Sequence, residues 1–259
     1  MSTKDAMSVW QSISKHVRRW TSRTPDAKET ELIRIPVQLC RHYCGFRYGC
    51  DSYNPYENYI VGLHRDVPEQ ELQRKFEDFI LWYRPRNFAQ VLGIPISPSI
   101  PLWSYPWNRR PEAENHGWHI GLDKIPDILT HFCEEGVKLS RMEEEYLWLR
   151  QAYQNIKQSG YLPEAHSYFR VCEMTDGVST AYLMLDGNHR LSALAALGVR
   201  EVLVQHRPRK TVRLSNLPHW IQVKSGAYQP AEAEQVLRAY LQGVDDFPRS
   251  LVPATILEI

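Results

Sequence analysis

The chain has 259 residues, of which 43% are hydrophobic, enough to bury a substantial core in one large domain or in a domain with an extension. Lys+Arg 31 against Asp+Glu 30 leaves a formal charge of +1, without the basic excess or stripe of a protein built to grip duplex DNA. No apolar run approaches membrane-spanning length, the first residues form no signal peptide, and five cysteines is an odd number, so the expectation is a cytoplasmic chain with free thiols.

In chain order, Val9, Trp10, Ile13, Val17 and Trp20 suggest a short amphipathic helix, followed by a polar loop. Glu31 to Leu39 alternates like a strand, and Pro36 pushes it to a sheet edge. Cys40, Cys44 and Cys50, with His42 among them, match no common zinc or iron–sulfur spacing and read as packed thiols. Gly45 to Tyr59 is rich in Tyr and Gly and reads as a stiff connector lying on the core. Glu69 to Tyr83 is a helix by pattern, since Leu72, Phe76, Phe79 and Ile80 recur at helical spacing.

Five prolines break up Ile94 to Pro111, which reads as a strap pinned by its tryptophans, Trp103 and Trp107; Tyr105 lies between them. With Arg109 and Arg110, the same rings would also make an aromatic wall beside two cations, suited to a sugar or an anionic substrate. Glu114, His116 and His119 are close in sequence, but Gly117 argues against the helix that would bring the histidines to one side, and they read as solvated. His119 to Ile125 is expected as a strand and Ile125 to Cys133 as a short helix. Glu143 to Lys157 follows as a helix with Tyr146, Leu149, Tyr153 and Ile156 as its apolar stripe, and the acidic residues at its start suit the helix dipole.

The chain is organised around Thr180 to Gly198. Thr180 to Leu185 reads as a buried strand, Asp186-Gly187 as a turn, and Asn188 as the N-cap of a helix that Gly198 ends. Glu201 to His206 is the next strand, giving a strand–helix–strand unit. The first amides of a helix lack intrahelical partners, and the dipole adds partial positive charge there. His189 and Arg190 occupy this first turn, where acidic residues are the usual stabilising choice. Two readings stay open from the residues alone: an exposed capped turn whose Arg190 meets a carboxylate, or a site for an anion.

Asp186-Gly-Asn-His-Arg-Leu-Ser-Ala-Leu-Ala-Ala-Leu-Gly198 resembles the Asp-Gly-x-His-Arg box of the ParB/sulfiredoxin-like superfamily, which includes partition-protein nucleotide-binding domains, sulfiredoxins and free-serine kinases. Upstream, Leu139-Ser-Arg141-Met-Glu143-Glu144-Glu145, the helix to Lys157, Gly160-Tyr-Leu-Pro163 and the strand Tyr168 to Glu173 follow that family's order. The likeness runs from Trp118 to Arg207. It implies an α/β (α+β) fold whose ParB/sulfiredoxin-like core is a small mixed sheet with helices. The expected organisation is an N-terminal helical and loop-rich extension over 1–115, a nucleotide-binding core over 116–210 and a strand and helix extension over 211–259.

The resemblance further implies that Asp186, Gly187, Asn188, His189, Arg190, Ser192 and Arg141 hold the phosphates of ATP or ADP, with CTP as a possible third nucleotide, together with Mg²⁺. Free-serine kinases place a catalytic acid just before the matching helix. Glu143 is nearest to that register, with Glu144 and Glu145 one or two residues away, and a carboxylate there would take the proton from a substrate hydroxyl. Glu143, His189 and Asp186 are therefore the expected catalytic residues of a small-molecule kinase. The alternative is a nucleotide-binding module acting in DNA or protein interaction without turnover, against which the charge balance and the missing DNA-reading element weigh. Sulfiredoxin chemistry needs a cysteine in the box, where Asn188 stands instead. Arg207 to Lys210, the densest basic run, reads as a solvated loop, with closure over phosphates as the other reading, and Pro230 to Leu241 reads as a terminal helix with Pro in its first turn.

Overall fold

The computed structural model describes residues 30–49, 53–82, 91–94, 105–108 and 139–244, without the side chains of 80–82 and 139–144. The N-terminal helix, Cys50, Trp103, Arg109, Arg110, Glu114, His116, and the strand and helix expected over 119–133 lie outside these residues.

Six strands form one mixed sheet: β1 (Glu31–Pro36), β2 (Cys40–Arg41), β3 (Phe169–Thr175), β4 (Thr180–Met184), β5 (Glu201–His206) and β6 (Val212–Arg213). Their order is β1-β5-β3-β4-β2, and β6 pairs with β3 beyond the end of β5. β1 runs antiparallel to β5 along its whole length, from Glu31 opposite His206 to Pro36 opposite Glu201. Proline at the end of this edge strand sacrifices no ladder bond from the sheet interior. β3 is antiparallel to β4 and parallel to β5. The two strands of the strand–helix–strand unit therefore flank β3 instead of pairing with each other.

The described α-helices are α1 (Pro55–His64), α2 (Glu69–Trp82), α3 (Leu139–Ser159), α4 (Pro163–His166), α5 (Asn188–Ala196), α6 (Ile221–Lys224) and α7 (Pro230–Gln242), with short 3-10 turns at Val37–Leu39, Pro208–Lys210 and Leu214–His219. On one sheet face, Leu191, Leu194 and Ala195 of α5 pack with Phe169, Val171, Met184, Val202 and Val204. Each leucine so enclosed contributes about 2 kcal/mol of hydrophobic stabilisation. The outer side of α5 meets α1 and α3, which carry Tyr56, Tyr59, Leu149 and Tyr153 into a cluster with Leu72, Phe76 and Phe79 of α2. On the sheet's other face α7 packs Val236, Leu237 and Tyr240 against Met174, Ala181 and Leu183. Among the described residues no helix is long and apolar enough to cross a membrane.

The α/β mixed fold agrees with the sequence reading, but its division into parts needs correction. Residues 31–41, read as extension, supply two strands to the core's own sheet, and α1 lies against α5. The residues 211–213 extend the same sheet as β6. The Tyr-rich segment read as connector also contains a helix. Asn54 caps it by accepting from the amides of Tyr56 and Glu57, and Pro55 occupies its first turn. Aromatic crowding masked its short apolar period.

Arg41 ties the sheet to α7. It is buried, and its Nε donates to Tyr240 O at 2.7 Å while Nη2 donates to Leu241 O at 2.9 Å. Its Nη1 reaches the Gln38 and Cys40 carbonyls, both at 2.8 Å. The planar fork thus satisfies carbonyls at the negative end of a helix that lack intrahelical donors. Arg41→Leu is expected to destabilise the protein by about 3 kcal/mol, read as a lower urea midpoint. A midpoint unchanged from wild type would mean that these four bonds contribute nothing net.

Candidate functional site

The strand β4 delivers the chain into a tight turn at Asp186-Gly187. Gly187 is the N-cap of α5 in the left-handed conformation, φ 78°, and no side chain caps the helix. A Cβ at this position would stand 2.5 Å from the Phe169 ring, so both the backbone angle and the close packing require glycine. Asn188, expected as the N-cap, is instead the first helical residue, and its Oδ1 accepts from the Tyr48 hydroxyl at 2.8 Å. The first intrahelical bond runs from the Leu191 amide to Gly187 O at 2.9 Å. The preceding amides of Asn188, His189 and Arg190 have no intrahelical acceptor, and there is no acidic residue in the first turn. The far end closes as expected, with Gly198 at φ 77° and Val199 N donating to Leu194 O at 3.0 Å.

The expected phosphate ligands are divided between open and occupied groups. Asp186 is held by β3: Oδ1 accepts from the Arg170 amide at 3.1 Å, and Oδ2 pairs with Arg170 Nε. Arg190 stacks over the Phe169 ring, 4.9 Å from its centroid, and its Nη1 donates to His166 O at 2.7 Å and Ser167 O at 2.8 Å. Those two bonds pin the turn after α4, where Ser167 has φ 65°. Nε and Nη2 are left for another acceptor, so an anion at this point would meet half the fork instead of the whole.

Ser192 departs from its expected place. It is fully buried, and its Oγ finds no hydrogen-bond partner among the described residues. It lies one turn beyond Asn188 on the same side of α5, enclosed with Leu191, Ala193, Leu194 and Ala195, so its hydroxyl is covered where the amides of the first turn are open. Arg141 and Glu143 lie within α3, which begins at Leu139, earlier than expected, and their side chains are outside the described residues.

Among the described side chains of α3, the carboxylate that meets the box is Glu145. Its Oε2 lies 2.8 Å from His189 Nε2, and the two side chains are 11% and 25% exposed. His189 stands between Trp148, 5.7 Å away by ring centroids, and Tyr56 at 6.3 Å. The contact with the carboxylate orients the imidazole and leaves Nδ1 as the ring nitrogen turned away from Glu145, the arrangement of an oriented general base. Glu145 was within the register of the family resemblance, but only the rotation of α3 selects it.

The loop before α1 completes the surroundings. Both Glu57 carboxylate oxygens accept from the Gly49 amide, at 3.2 and 3.0 Å. Burial pushes this carboxyl up to about 7, against a smaller lowering by the Gly49 bond. Tyr48, beside it, is driven well above the ordinary phenol range by burial, and so donates its proton to Asn188. His42 is a core histidine stacked on Phe46, with Nδ1 accepting from the Cys44 amide. The Cys40 thiol, buried, is pushed up to about 12 and remains protonated.

A second charged group was not legible in sequence. His206, buried at the end of β5, has Nδ1 3.0 Å from Glu31 Oε1 and Nε2 2.8 Å from Glu173 Oε2. The second approach is short but lacks hydrogen-bond alignment, since Nε2 has no geometric partner. The β1–β5 register brings Glu31 opposite His206, which no local pattern announces. No family model, curated protein or solved structure matches this chain.

Two outcomes follow from this geometry. The folded pKa of Glu57 lies above its ordinary value of 4.5, so its protonated form stabilises the fold at low pH and that contribution is lost as pH rises through about 7. Glu57→Gln keeps the acceptor without the titration. Thermal or urea unfolding is expected to show the variant gaining up to about 3 kcal/mol on wild type between pH 4.5 and 8, and a pH-independent difference would contradict the assignment. Ser192→Ala removes an unpartnered buried hydroxyl and is expected to raise stability by about 1 kcal/mol, without changing nucleotide binding. Loss of binding in that variant would return Ser192 to the phosphate site.

Proposed function

We propose that the chain is a nucleotide-dependent phosphotransferase acting on a small-molecule hydroxyl, a kinase of the ParB/sulfiredoxin-like type that it resembles. The observation that carries this reading is the start of α5: uncapped, free of acidic residues, opened by a left-handed glycine, with the Glu145–His189 pair on its first turn. Terminal phosphates of ATP or ADP rest on the amides of Asn188, His189 and Arg190, with Arg190 Nη2 or Nε as a charged donor. Gly187 lets the phosphates approach the backbone.

His189 Nδ1 receives the proton of the substrate hydroxyl as its oxygen attacks the terminal phosphorus, and the bond to the bridging oxygen breaks. The nucleotide leaves one phosphate shorter. Glu145 orients the imidazole and stabilises it once it is protonated. Among the described residues no group of three His, Cys, Asp or Glu side chains is arranged to hold a metal. That suits Mg²⁺ carried in on the phosphates, with Asp186 as the nearest carboxylate at the turn, because this ion binds through substrate oxygens and one or two carboxylates. When bound, it neutralises charge developing on the phosphoryl oxygens.

The neutral charge balance favours a small-molecule substrate over nucleic acid. A binding module without turnover is the competing reading, and the catalytic pair separates the two. In a labelled-ATP assay, Glu145→Gln is expected to lower kcat about 10²- to 10³-fold with nucleotide affinity unchanged, while Glu143→Gln stays close to wild type. Nucleotide binding without turnover on any amino acid or sugar tested, in wild type, favours the module. Asn188→Asp keeps the acceptor for Tyr48 and suits the helix dipole, so it is expected to fold as well as wild type. The charge it adds at the phosphate position should weaken ATP and ADP binding at least tenfold; unchanged binding would remove the nucleotide from this helix start.

A further inference from the structure

A cavity of about 700 Å³ lies on the sheet face opposite α5. Side chains alternate along β3, so Arg170 and Cys172 point away from the Phe169 and Val171 that α5 covers. Leu183, paired opposite Cys172, shares their face, and these residues with Leu185 floor the cavity.

One wall is aromatic. Trp107 and Trp220 meet edge to face at 5.3 Å, and Tyr105 stacks on Trp107 at 5.5 Å. The wall is fastened by Gln222, a buried residue whose amide donates to Pro106 O at 3.0 Å and whose Nε2 donates to Asn108 O at 2.9 Å. The other side is cationic. Arg207, Arg209 and Lys210 line it, and none of the described lining residues is acidic. The side chains of Arg207 and Lys210 pair with no carboxylate among the described residues, and Lys210 is exposed at the rim. Cations such as Arg207 and Lys210 at a concave apolar site raise its potential and select anions, while fixed indole rings select flat partners.

We propose that this cavity is a second ligand site, for a planar ring compound bearing a phosphate or carboxylate group. The ring lies along the Trp107–Trp220 wall over Leu183 and Leu185, and the anionic group meets Arg207 and Lys210. Arg170 is placed between this site and the box, because its Nε is engaged by Asp186 while its stem borders the cavity. The site stands apart from the reading of the α5 start, which lies on the other face.

The test uses the full chain labelled with 5-fluorotryptophan, with the ¹⁹F resonances of Trp107 and Trp220 assigned through Trp107→Phe and Trp220→Phe. Phenyl phosphate and benzoate are the probes; phenol and inorganic phosphate are the controls for ring and charge alone. The expected result is a saturable shift of both resonances with phenyl phosphate or benzoate, at least tenfold tighter than with either control. Arg207→Gln with Lys210→Gln, at a half-buried and an exposed position and checked by melting temperature to be folded as wild type, should weaken it at least tenfold. Asn188→Asp should leave it as in wild type.

Neither resonance moving at millimolar probe would overturn the proposal. So would equal response to inorganic phosphate, which means a surface cation cluster only, or binding lost in Asn188→Asp, which means that the probe sits at the helix start.

Discussion

The close packing of Gly187 against the Phe169 ring is the constraint from which the site follows. It forces glycine in the left-handed conformation at the only position where a side-chain cap would ordinarily stand. The helix therefore starts with bare amides, in a turn whose other members are each held by a different element. Arg170 of β3 holds Asp186, the hydroxyl of Tyr48 holds Asn188, Glu145 of α3 holds His189, and the carbonyls after α4 hold Arg190. Four elements distant in sequence converge on five consecutive residues. A turn with that much support does not need to reorganise to receive a charged group, which is the condition for preorganised electrostatic stabilisation.

The same packing explains why Arg190 is divided in its loyalties. Stacked on Phe169 and bound to two carbonyls, it loses little further side-chain entropy on meeting an anion, and its remaining donors are aimed by contacts already made. Its charge also offsets the conflict of a cation at the positive end of a helix dipole, since the His166 and Ser167 carbonyls draw it toward a second negative pole.

The parts legible in sequence were those set by local pattern. β1, β4, β5, α2 and α7 lie within a few residues of where alternation, helical spacing, Pro36, Pro230 and Gly243 put them. The Gly198 stop was readable because a left-handed C-terminal residue leaves a chemical mark. What failed depended on tertiary contact. The cap fell to Gly187 because the Phe169 ring lies beneath it, and Asn188 turned to Tyr48, 140 residues away. Ser192 is enclosed because α5 is covered on both sides, by the sheet and by α1 and α3. Glu145 meets His189 through the phase of α3 against α5, which no local pattern announces, while the side chain of Glu143 lies outside the described residues. Trp107 packs against Trp220 and Tyr240 as a pinned strap requires, but the cavity beside it is made by strands and loops far apart in the chain.

The central claim is that phosphate oxygens lie on the open amides of α5, and amide chemical shifts report that contact directly. Titrating ¹⁵N-labelled protein with Mg²⁺ and ADP should move the backbone resonances of Gly187, Asn188, His189 and Arg190 most, saturably and together, with the strand amides of β1 unmoved. If those four resonances stay in place while the protein binds nucleotide elsewhere, or binds none at millimolar concentration, the account of this helix start is wrong.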